Sequence, residues 1–287
     1  MAEEERTMYF DMEPDQIARK FWAADYLVDL VSMVGLGLII IAGAWMANKG
    51  QWWALIIATV IAFVVFAVLN TRRLRNFAEL QGILMIDCDA EKMVAVCERS
   101  AKRTKGGSER VRFRTLHGMS LALSGHPDEA LEMVEFTPRD KLQVADTLNV
   151  LSVRAAAYRM KGDIAASEAL TADVQAIADR LPEGNPLKNA AAYLTAQLDF
   201  VCAIAKGDTE NAQAALAHLE GQAAAPERLV EAAYGHALLS ELEGDEDDAR
   251  THFEHVAAEG GTLVIRDKAR TWLNEHPGTR NLEGQPA

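Results

Sequence analysis

Two long stretches without a charged residue constrain the fold of this chain more than any other feature. Residues 30–48 and 50–71 contain no Asp, Glu, Lys or Arg and are mostly apolar. Each is long enough to cross the hydrocarbon core of a bilayer, which takes about 20 helical residues. Because lipid offers no hydrogen-bond partner to exposed backbone amides, such spans must be helical. The sequence therefore predicts a transmembrane helical hairpin over residues 26–71, with the turn Asn48-Lys49-Gly50 at its tip.

The basic residues that flank the two stretches predict the orientation of this hairpin. Lys49 alone occupies the tip, whereas five basic residues flank the open end, namely Arg19, Lys20, Arg72, Arg73 and Arg75. By the positive-inside rule, both termini are expected in the cytoplasm, as in a multi-pass protein of a cell membrane. The first twenty residues are acidic and lack the short basic lead of a secretory signal peptide. Residues 1–25 are therefore expected to stay attached as a cytosolic segment, and the hairpin points to a bacterial source.

Small residues recur along both predicted spans. Ala54, Ala58 and Ala62 lie on one face of the second helix, and Gly43 and Ala47 lie on one face of the first. Small residues at this spacing let helix backbones approach closely. The faces either close the hairpin or bind a second copy or another membrane protein. Because no ionisable residue lies within either span, a proton or ion pathway is not expected.

The remainder of the chain has a different composition. From Ile86 onward it carries 22 basic and 33 acidic residues, a balance of −11. This charge argues against nucleic-acid binding, which requires a basic surface. The three cysteines, Cys88, Cys97 and Cys202, have no CxxC spacing, so we expect small apolar core residues in a reducing compartment.

A helix–turn–helix unit repeats along this acidic part. Its turns begin at five residues that are spaced by 37, 37, 45 and 37 positions, namely Cys88, Gly125, Gly162, Gly207 and Gly244. Small residues lie seven positions before three of these turns (Gly118, Ala155 and Ala237) and five positions after four of them (Ala130, Ser167, Ala212 and Ala249). We expect these to be the points where paired helices cross, since a bulky side chain would push the helices apart.

This pattern resembles the tetratricopeptide repeat, best at Gly118, Gly125, Ala130 and Val134 and again at Ala237, Gly244, Ala249 and Phe253. The likeness covers roughly residues 74–256. The sequence departs from the family pattern in three ways: Phe200 occupies a small-residue position, Met93 replaces an alanine, and the spacing between turns exceeds the family's usual 34 residues. The resemblance implies an all-α fold, in which residues 72–276 form a cytosolic α-solenoid of about five helix pairs. A helix at 262–276 would cap the solenoid, and residues 277–287 would form a flexible tail.

The resemblance also implies a concave groove that accepts a protein or peptide, lined by the first helix of each pair. Carried over by position, the groove residues are Arg112, Thr115, Met119, Asn149, Ser152, Arg159, Gln197, Val201, Glu231, Tyr234 and Leu238. Arg112, Asn149 and Arg159 would either hold an acidic group or remain solvated. The alternative is an accessory subunit that binds its complex through the hairpin, with the solenoid as a spacer.

The segment that joins the two parts carries two further expectations. The first repeat helix starts two residues after the second span, so one helix is predicted from Trp52 to about Ile86; a kink near Asn76 is the alternative. The following helix should lead back towards the bilayer, into a basic loop that contains Lys102, Arg103, Lys105, Arg110, Arg112 and Arg114. This loop either binds anionic lipid, within a Debye length of about 8–10 Å, or is solvated.

Catalytic and metal-binding patterns are absent from the sequence. No GxSxG, HExxH, P-loop or calcium-loop spacing occurs in the soluble part. His252 and His255 lie on one predicted helix without an obvious third metal ligand. We therefore expect a non-enzyme with no cofactor and no metal, acting as a membrane-anchored scaffold.

Overall fold

A computed structural model describes residues 6–104, 107–135 and 142–277. Over these residues the protein consists of twelve helices and has no strand. The helices are α1 (Pro14–Asn48), α2 (Trp53–Met85), α3 (Ala90–Ser100), α4 (Ser108–Leu123), α5 (Pro127–Glu135), α6 (Val144–Lys161), α7 (Ile164–Ala178), α8 (Pro186–Lys206), α9 (Thr209–Glu220), α10 (Pro226–Glu243), α11 (Glu246–Glu259) and α12 (Val264–Glu275). The predicted all-α class is confirmed. The predicted tail, apart from residue 277, lies outside the described residues.

The chain divides into two compact units, with the boundary between Gly82 and Ile83. Charge patterning alone places this boundary at residues 71–72. The difference arises because α2 continues without a break from Trp53 to Met85, which confirms the continuous helix predicted there.

The first unit, Thr7–Gly82, contains two helices that are long and apolar enough to cross a membrane. Their large apolar side chains, such as Ile41, Ile56 and Phe63, are mostly exposed in the protein alone. The helices pack where their residues are small, since a Cβ at Gly43 would lie 2.8 Å from that of Ala58. Ala54 is also buried at this contact.

An ion-pair cluster joins α1 and α2 at the end opposite to the tight turn. The Arg73 guanidinium pairs with the Asp29 carboxylate, and its Nε lies 3.5 Å from Oδ1 of Asp25. Arg73 therefore has a structural role in addition to its place in the orientation argument. Sequence counting missed this role because the two helices approach each other only in the folded hairpin.

In the second unit, the five predicted turn residues share one backbone conformation. Cys88, Gly125, Gly162, Gly207 and Gly244 all have positive φ, between 52° and 90°. This left-handed conformation ends a helix and is easiest for glycine. Cys88 is the one non-glycine residue with positive φ among the described residues.

An aspartate follows four of these turn residues and begins the next helix. The side chains of Asp89, Asp163, Asp208 and Asp245 each accept a hydrogen bond from the backbone N–H three residues further on. This is the usual N-cap geometry, which typically stabilises a helix by about 1 kcal/mol. The sequence signal Gly-Asp therefore encodes both the end of one helix and the start of the next.

The small residues predicted at helix crossings are buried. Ala130, Ser167, Ala212, Ala237 and Ala249 are completely inaccessible, and a Cβ at Gly118 would lie 2.9 Å from Cγ1 of Val153.

The bulky Phe200 is accommodated by a glycine on another helix. Phe200 of α8 is buried although it occupies a small-residue position. A Cβ at Gly235 of α10 would lie 3.3 Å from Cζ of Phe200 and 2.9 Å from Cδ1 of Leu216. The glycine thus supplies the space that the phenylalanine takes.

The C-terminal helix α12 contacts both ends of this unit. The indole ring of Trp272 in α12 packs against the Phe253 ring of α11, with the ring centroids 4.6 Å apart. The turn before α12 meets the start of the unit, because the N–H of Thr262 donates to the Cys88 carbonyl at 2.9 Å. Val264 also faces the turn at Gly125, where a Cβ would lie 3.1 Å from its Cγ2. Sequence analysis predicts a helix here and its capping role, but not these contacts with the first turns.

Candidate ligand-binding cleft

Nine of the eleven predicted groove residues line one cleft in the second unit. Its first half, of about 210 Å³, is lined by α4, α6, α8 and α10; its second half, of about 250 Å³, lies mainly between α8 and α10. The two halves share six residues on their common wall, namely Arg159, Tyr193, Gln197, Val201, Arg228 and Glu231. Of the predicted residues, the cleft collects Met119, Asn149, Ser152, Arg159, Gln197, Val201, Glu231, Tyr234 and Leu238.

The other two predicted groove residues, Arg112 and Thr115, do not line this cleft. Thr115 is buried, and its hydroxyl donates to the backbone carbonyl of Arg112 one turn earlier in α4. Both residues lie near the N-terminal half of α4, whereas Met119 and Leu123 nearer its C-terminus reach the cleft.

An ion pair between α6 and α10 crosses the middle of the cleft. The Arg159 guanidinium donates to Oε1 of Glu231, and the Gln197 amide donates to Oε2 of the same carboxylate at 3.3 Å. Burial lowers the pKa of Arg159, but the Glu231 carboxylate outweighs it and holds that pKa above its ordinary value. The Nε atom of Arg159 remains buried without a hydrogen-bond partner among the described residues.

Glu227 is the most perturbed acid of the cleft. Its side chain is 6% exposed, and Oε2 has no hydrogen-bond partner in the described part of the chain. Burial, reinforced by the Glu231 carboxylate and opposed by Arg159 and Arg228, raises the pKa of Glu227 to about 8. Its carboxyl group is therefore largely protonated at neutral pH, where it can donate as well as accept a hydrogen bond.

Arg228 lies against an aromatic ring rather than a carboxylate. Its guanidinium carbon is 4.2 Å from the centroid of the Tyr193 ring, a cation–π distance. No acidic side chain forms a salt bridge with Arg228 among the described residues, and its one hydrogen bond, to the Gln222 carbonyl, is long at 3.4 Å. With Glu227 protonated, no ionised carboxylate pairs with Arg228 in the described part of the chain, so its positive charge remains available on the cleft wall.

The second half of the cleft is mainly apolar. Its lining includes Phe200, Ile204, Leu216, Leu219, Tyr234 and Leu238. Lys268 of α12 contributes a second cation at its edge. The cleft thus combines a polar half with buried charged groups and an adjoining apolar half.

Four residues that line the cleft are absent from the predicted groove, namely Tyr193, Glu227, Arg228 and Lys268. The predicted groove residues occupy the repeat positions that line the groove in tetratricopeptide repeats, and these four residues lie at other positions. One signal was available: "PERLVE" places a glutamate and an arginine in the first turn of α10, four and three residues before Glu231. Only packing against α6 and α8 gives those charges a common environment.

The predicted basic loop is largely helical. Arg110, Arg112 and Arg114 lie in the first turns of α4, which begins at Ser108, and not in a loop. Lys102 and Arg103 are exposed in the connection after α3, and Lys105 lies outside the described residues. Gly107 is the N-cap of α4 and has φ 72°, a conformation that glycine adopts readily, so the helix can begin at Ser108.

The cysteines and histidines show no sign of a metal centre. The three cysteines are buried thiols, and burial together with nearby acids, Glu227 first among them, raises the pKa of Cys88 to about 12. His252 stacks on His236 at 4.9 Å instead of pairing with His255. No cluster of three metal-ligating side chains occurs among the described residues.

Comparisons with protein families, curated proteins and solved structures give no match to this chain.

Proposed function

We propose that the chain is a membrane-anchored, tetratricopeptide-like adaptor that binds a protein or peptide at the cytosolic face of the membrane. The observation that carries the proposal is the coexistence of two bilayer-length apolar helices with a separate helical unit that contains a concave cleft. The hairpin would hold the protein in the bilayer, and the cleft would receive a side chain of the partner.

Three features support a solenoid-like arrangement of the second unit. The helices pack mainly on their neighbours in chain order. The turn residues share a left-handed backbone, and the small residues at the crossings are buried. These are the features expected of stacked helix pairs, in which each pair contacts mainly its neighbours.

The proposed topology places both termini and the second unit in the cytosol. It rests on five flanking basic residues against Lys49 at the turn. The native cysteines cannot test it, because all three are buried. Single cysteines at exposed Glu210 or at Lys49 in a cysteine-free chain provide the test: an impermeant thiol reagent applied to intact cells should label Lys49→Cys and not Glu210→Cys. Labelling of Glu210→Cys alone would show that the protein has the opposite topology.

Partner capture by the cleft can be tested by crosslinking and mass spectrometry on intact membranes. Asn149 is exposed at the cleft, so Asn149→Arg changes its surface without removing a buried contact. Gln213→Arg on α9, outside the cleft, is the matched control. Loss of one abundant partner with Asn149→Arg but not with Gln213→Arg supports the adaptor, and an unchanged set of partners contradicts it.

The alternative is an accessory subunit bound through the hairpin. The exposed apolar surface of α1 and α2 favours it, since that surface contacts either lipid or another membrane protein. Replacing residues 26–71 with an unrelated two-helix hairpin separates the two proposals. The adaptor retains its partner after this replacement, whereas the accessory subunit loses it.

A further inference from the structure

The polar half of the cleft contains two buried groups that lack partners. Oε2 of Glu227 and Nε of Arg159 are both inaccessible and unpaired among the described residues. Burying a polar group without a hydrogen bond is unfavourable, because the group loses its bonds to water. Both side chains line the cleft, so a small side-chain rotation would bring either atom against a ligand there.

The charged groups of the cleft determine whether it favours an anionic or a cationic ligand. Arg159 and Glu231 neutralise each other through their ion pair. Arg228 has no acidic partner in the described part of the chain, and Lys268 adds a further cation at the edge. With Glu227 protonated, the cleft has an excess of positive charge, which favours an anion over a cation.

The hydrogen-bonding groups select the kind of anion. A protonated Glu227 donates through its O–H, Arg159 donates through its free Nε–H, and Arg228 presents a planar fork of N–H groups. A carboxylate offers two oxygens that accept from such donors, and pairs with arginine in a bidentate manner. The adjoining half, lined by Phe200 and Leu238 among others, accepts an apolar group.

The size of the cleft suits a small molecule. Its halves measure about 210 and 250 Å³ and together fall within the roughly 300–1,000 Å³ typical of small-molecule sites. One short apolar tail fits the second half, with its head group beside Arg228 on the shared wall.

We propose that the cleft binds a small amphiphilic carboxylate, with its carboxylate against Arg228, Glu227 and Arg159 and its apolar tail between α8 and α10. This site goes beyond the proposed adaptor role and does not rest on it, because the ligand would bind the purified protein in the absence of any partner. Failure of partner capture and failure of ligand binding are therefore separate results.

The charged and titratable groups that face Glu227 come from four parts of the unit. They are Arg228 and Glu231 on its own helix, Arg159 on α6, Tyr193 on α8 and the Cys88 thiol in the turn before α3. Glu227 is the acid of this set whose proton is lost just above neutral pH. A carboxylate ligand should therefore bind less tightly as the pH rises from 6.5 to 9.

Isothermal titration calorimetry of the full-length protein in nanodiscs of uncharged lipid tests the proposal, with hexanoate as the probe. Hexanoate should bind at pH 6.5, and its neutral and cationic analogues, hexanamide and hexylamine, should bind at least about tenfold more weakly. Arg228→Gln should weaken hexanoate binding about tenfold, and Arg228→Lys by less, since it keeps the charge but loses the planar fork. Arg180→Gln, at an exposed position in the turn after α7, is the matched control and should have no effect.

The dependence on Glu227 provides a second readout. Glu227→Gln should still bind hexanoate but should lose the part of the pH dependence between 6.5 and 9 that the native protein shows. Circular dichroism of each variant checks that it is folded. The proposal is overturned by absence of hexanoate binding at millimolar concentration, by tighter binding of hexylamine, or by equal binding to the native and Arg228→Gln proteins.

Discussion

The backbone N–H of Thr262 donates to the carbonyl of Cys88 across 2.9 Å, joining the last turn of the second unit to its first. The Thr262 hydroxyl extends this contact. It donates to Oδ1 of Asp89 at 3.0 Å and accepts from the N–H of Glu91 at 3.1 Å. One threonine therefore contacts the residues that begin α3, although about 170 residues separate them in the chain.

Thr262→Val should destabilise the second unit. The substitution keeps the shape but removes the hydroxyl that links Asp89 and Glu91, so we expect a loss of about 1–2 kcal/mol in the free energy of unfolding. Urea denaturation followed by circular dichroism measures it. Thr271→Val on α12 is the matched control, since its exposed hydroxyl donates to the Asp267 carbonyl of its own helix. Equal effects of the two variants would mean that the Thr262 hydroxyl contributes nothing to the contact between the two turns.

The helix ends of the second unit were predictable from the sequence. Each turn residue from Gly125 to Gly244 stands where the chain needs positive φ, and glycine adopts that conformation at least cost. The aspartates that follow three of these glycines report helix starts through their capping chemistry. Local physics of two adjacent residues therefore fixes the positions of these helix boundaries.

The cleft was predictable only in outline. Regular spacing brings Asn149, Gln197 and Glu231 to one surface, because each lies on the same face of its helix. The environment of Glu227 depends instead on groups from different helices, such as Arg159, which lies 68 residues earlier. A pattern of single residues carries no information about such distant pairs, and the same holds for the ion pair of Arg73 with Asp29 in the hairpin.

Glu227 should make the stability of the protein depend on pH. A carboxyl whose folded pKa, about 8, lies above its ordinary value of 4.5 stabilises the native state when protonated. This contribution is complete below the unfolded pKa and is lost as the pH rises through the folded one. The native protein should therefore lose about 2–3 kcal/mol of stability from this group between pH 6 and pH 9.

Glu227→Gln isolates that contribution, because glutamine has the same shape and does not titrate. Urea denaturation at pH 6 and pH 9 should show that the variant gains stability relative to the native protein as the pH rises. Glu254→Gln, at an exposed position of α11, is the control and should follow the native protein. A constant difference between Glu227→Gln and the native protein at both pH values would contradict the prediction.

Gly244→Ala should destabilise the last helix pair through its backbone. Gly244 has φ 81° and open space around the position of a Cβ, so the effect comes from conformation and not from a clash. An L-residue in the left-handed region costs about 1–2 kcal/mol. Gly221→Ala is the control, since Gly221 has φ −58° and an alanine there should be neutral or stabilising. Thermal denaturation of both variants measures the difference, and a stable Gly244→Ala protein would show that the turn tolerates a side chain.

Gly43→Ile should separate the two helices of the hairpin. A Cβ at Gly43 would lie 2.8 Å from that of Ala58 and 3.7 Å from the Ala54 carbonyl, so a branched side chain cannot fit without moving α1 away from α2. Overpacking of this kind costs about 1–3 kcal/mol. Gly35→Ile on the same helix is the matched control, because nothing lies within 4 Å of a Cβ there.

Crosslinking at the open end of the hairpin measures the separation. Disulfide formation between cysteines introduced at Asn48 and Gln51 would not report it, since the tight turn keeps those two positions close in any arrangement of the helices. A bifunctional thiol reagent should link cysteines at Asp25 and Arg73, whose native side chains approach at the open end, efficiently in the native and Gly35→Ile backgrounds and poorly with Gly43→Ile. Equal crosslinking in all three would show that the ends stay together despite the substitution, and that close packing at Gly43 does not hold the hairpin.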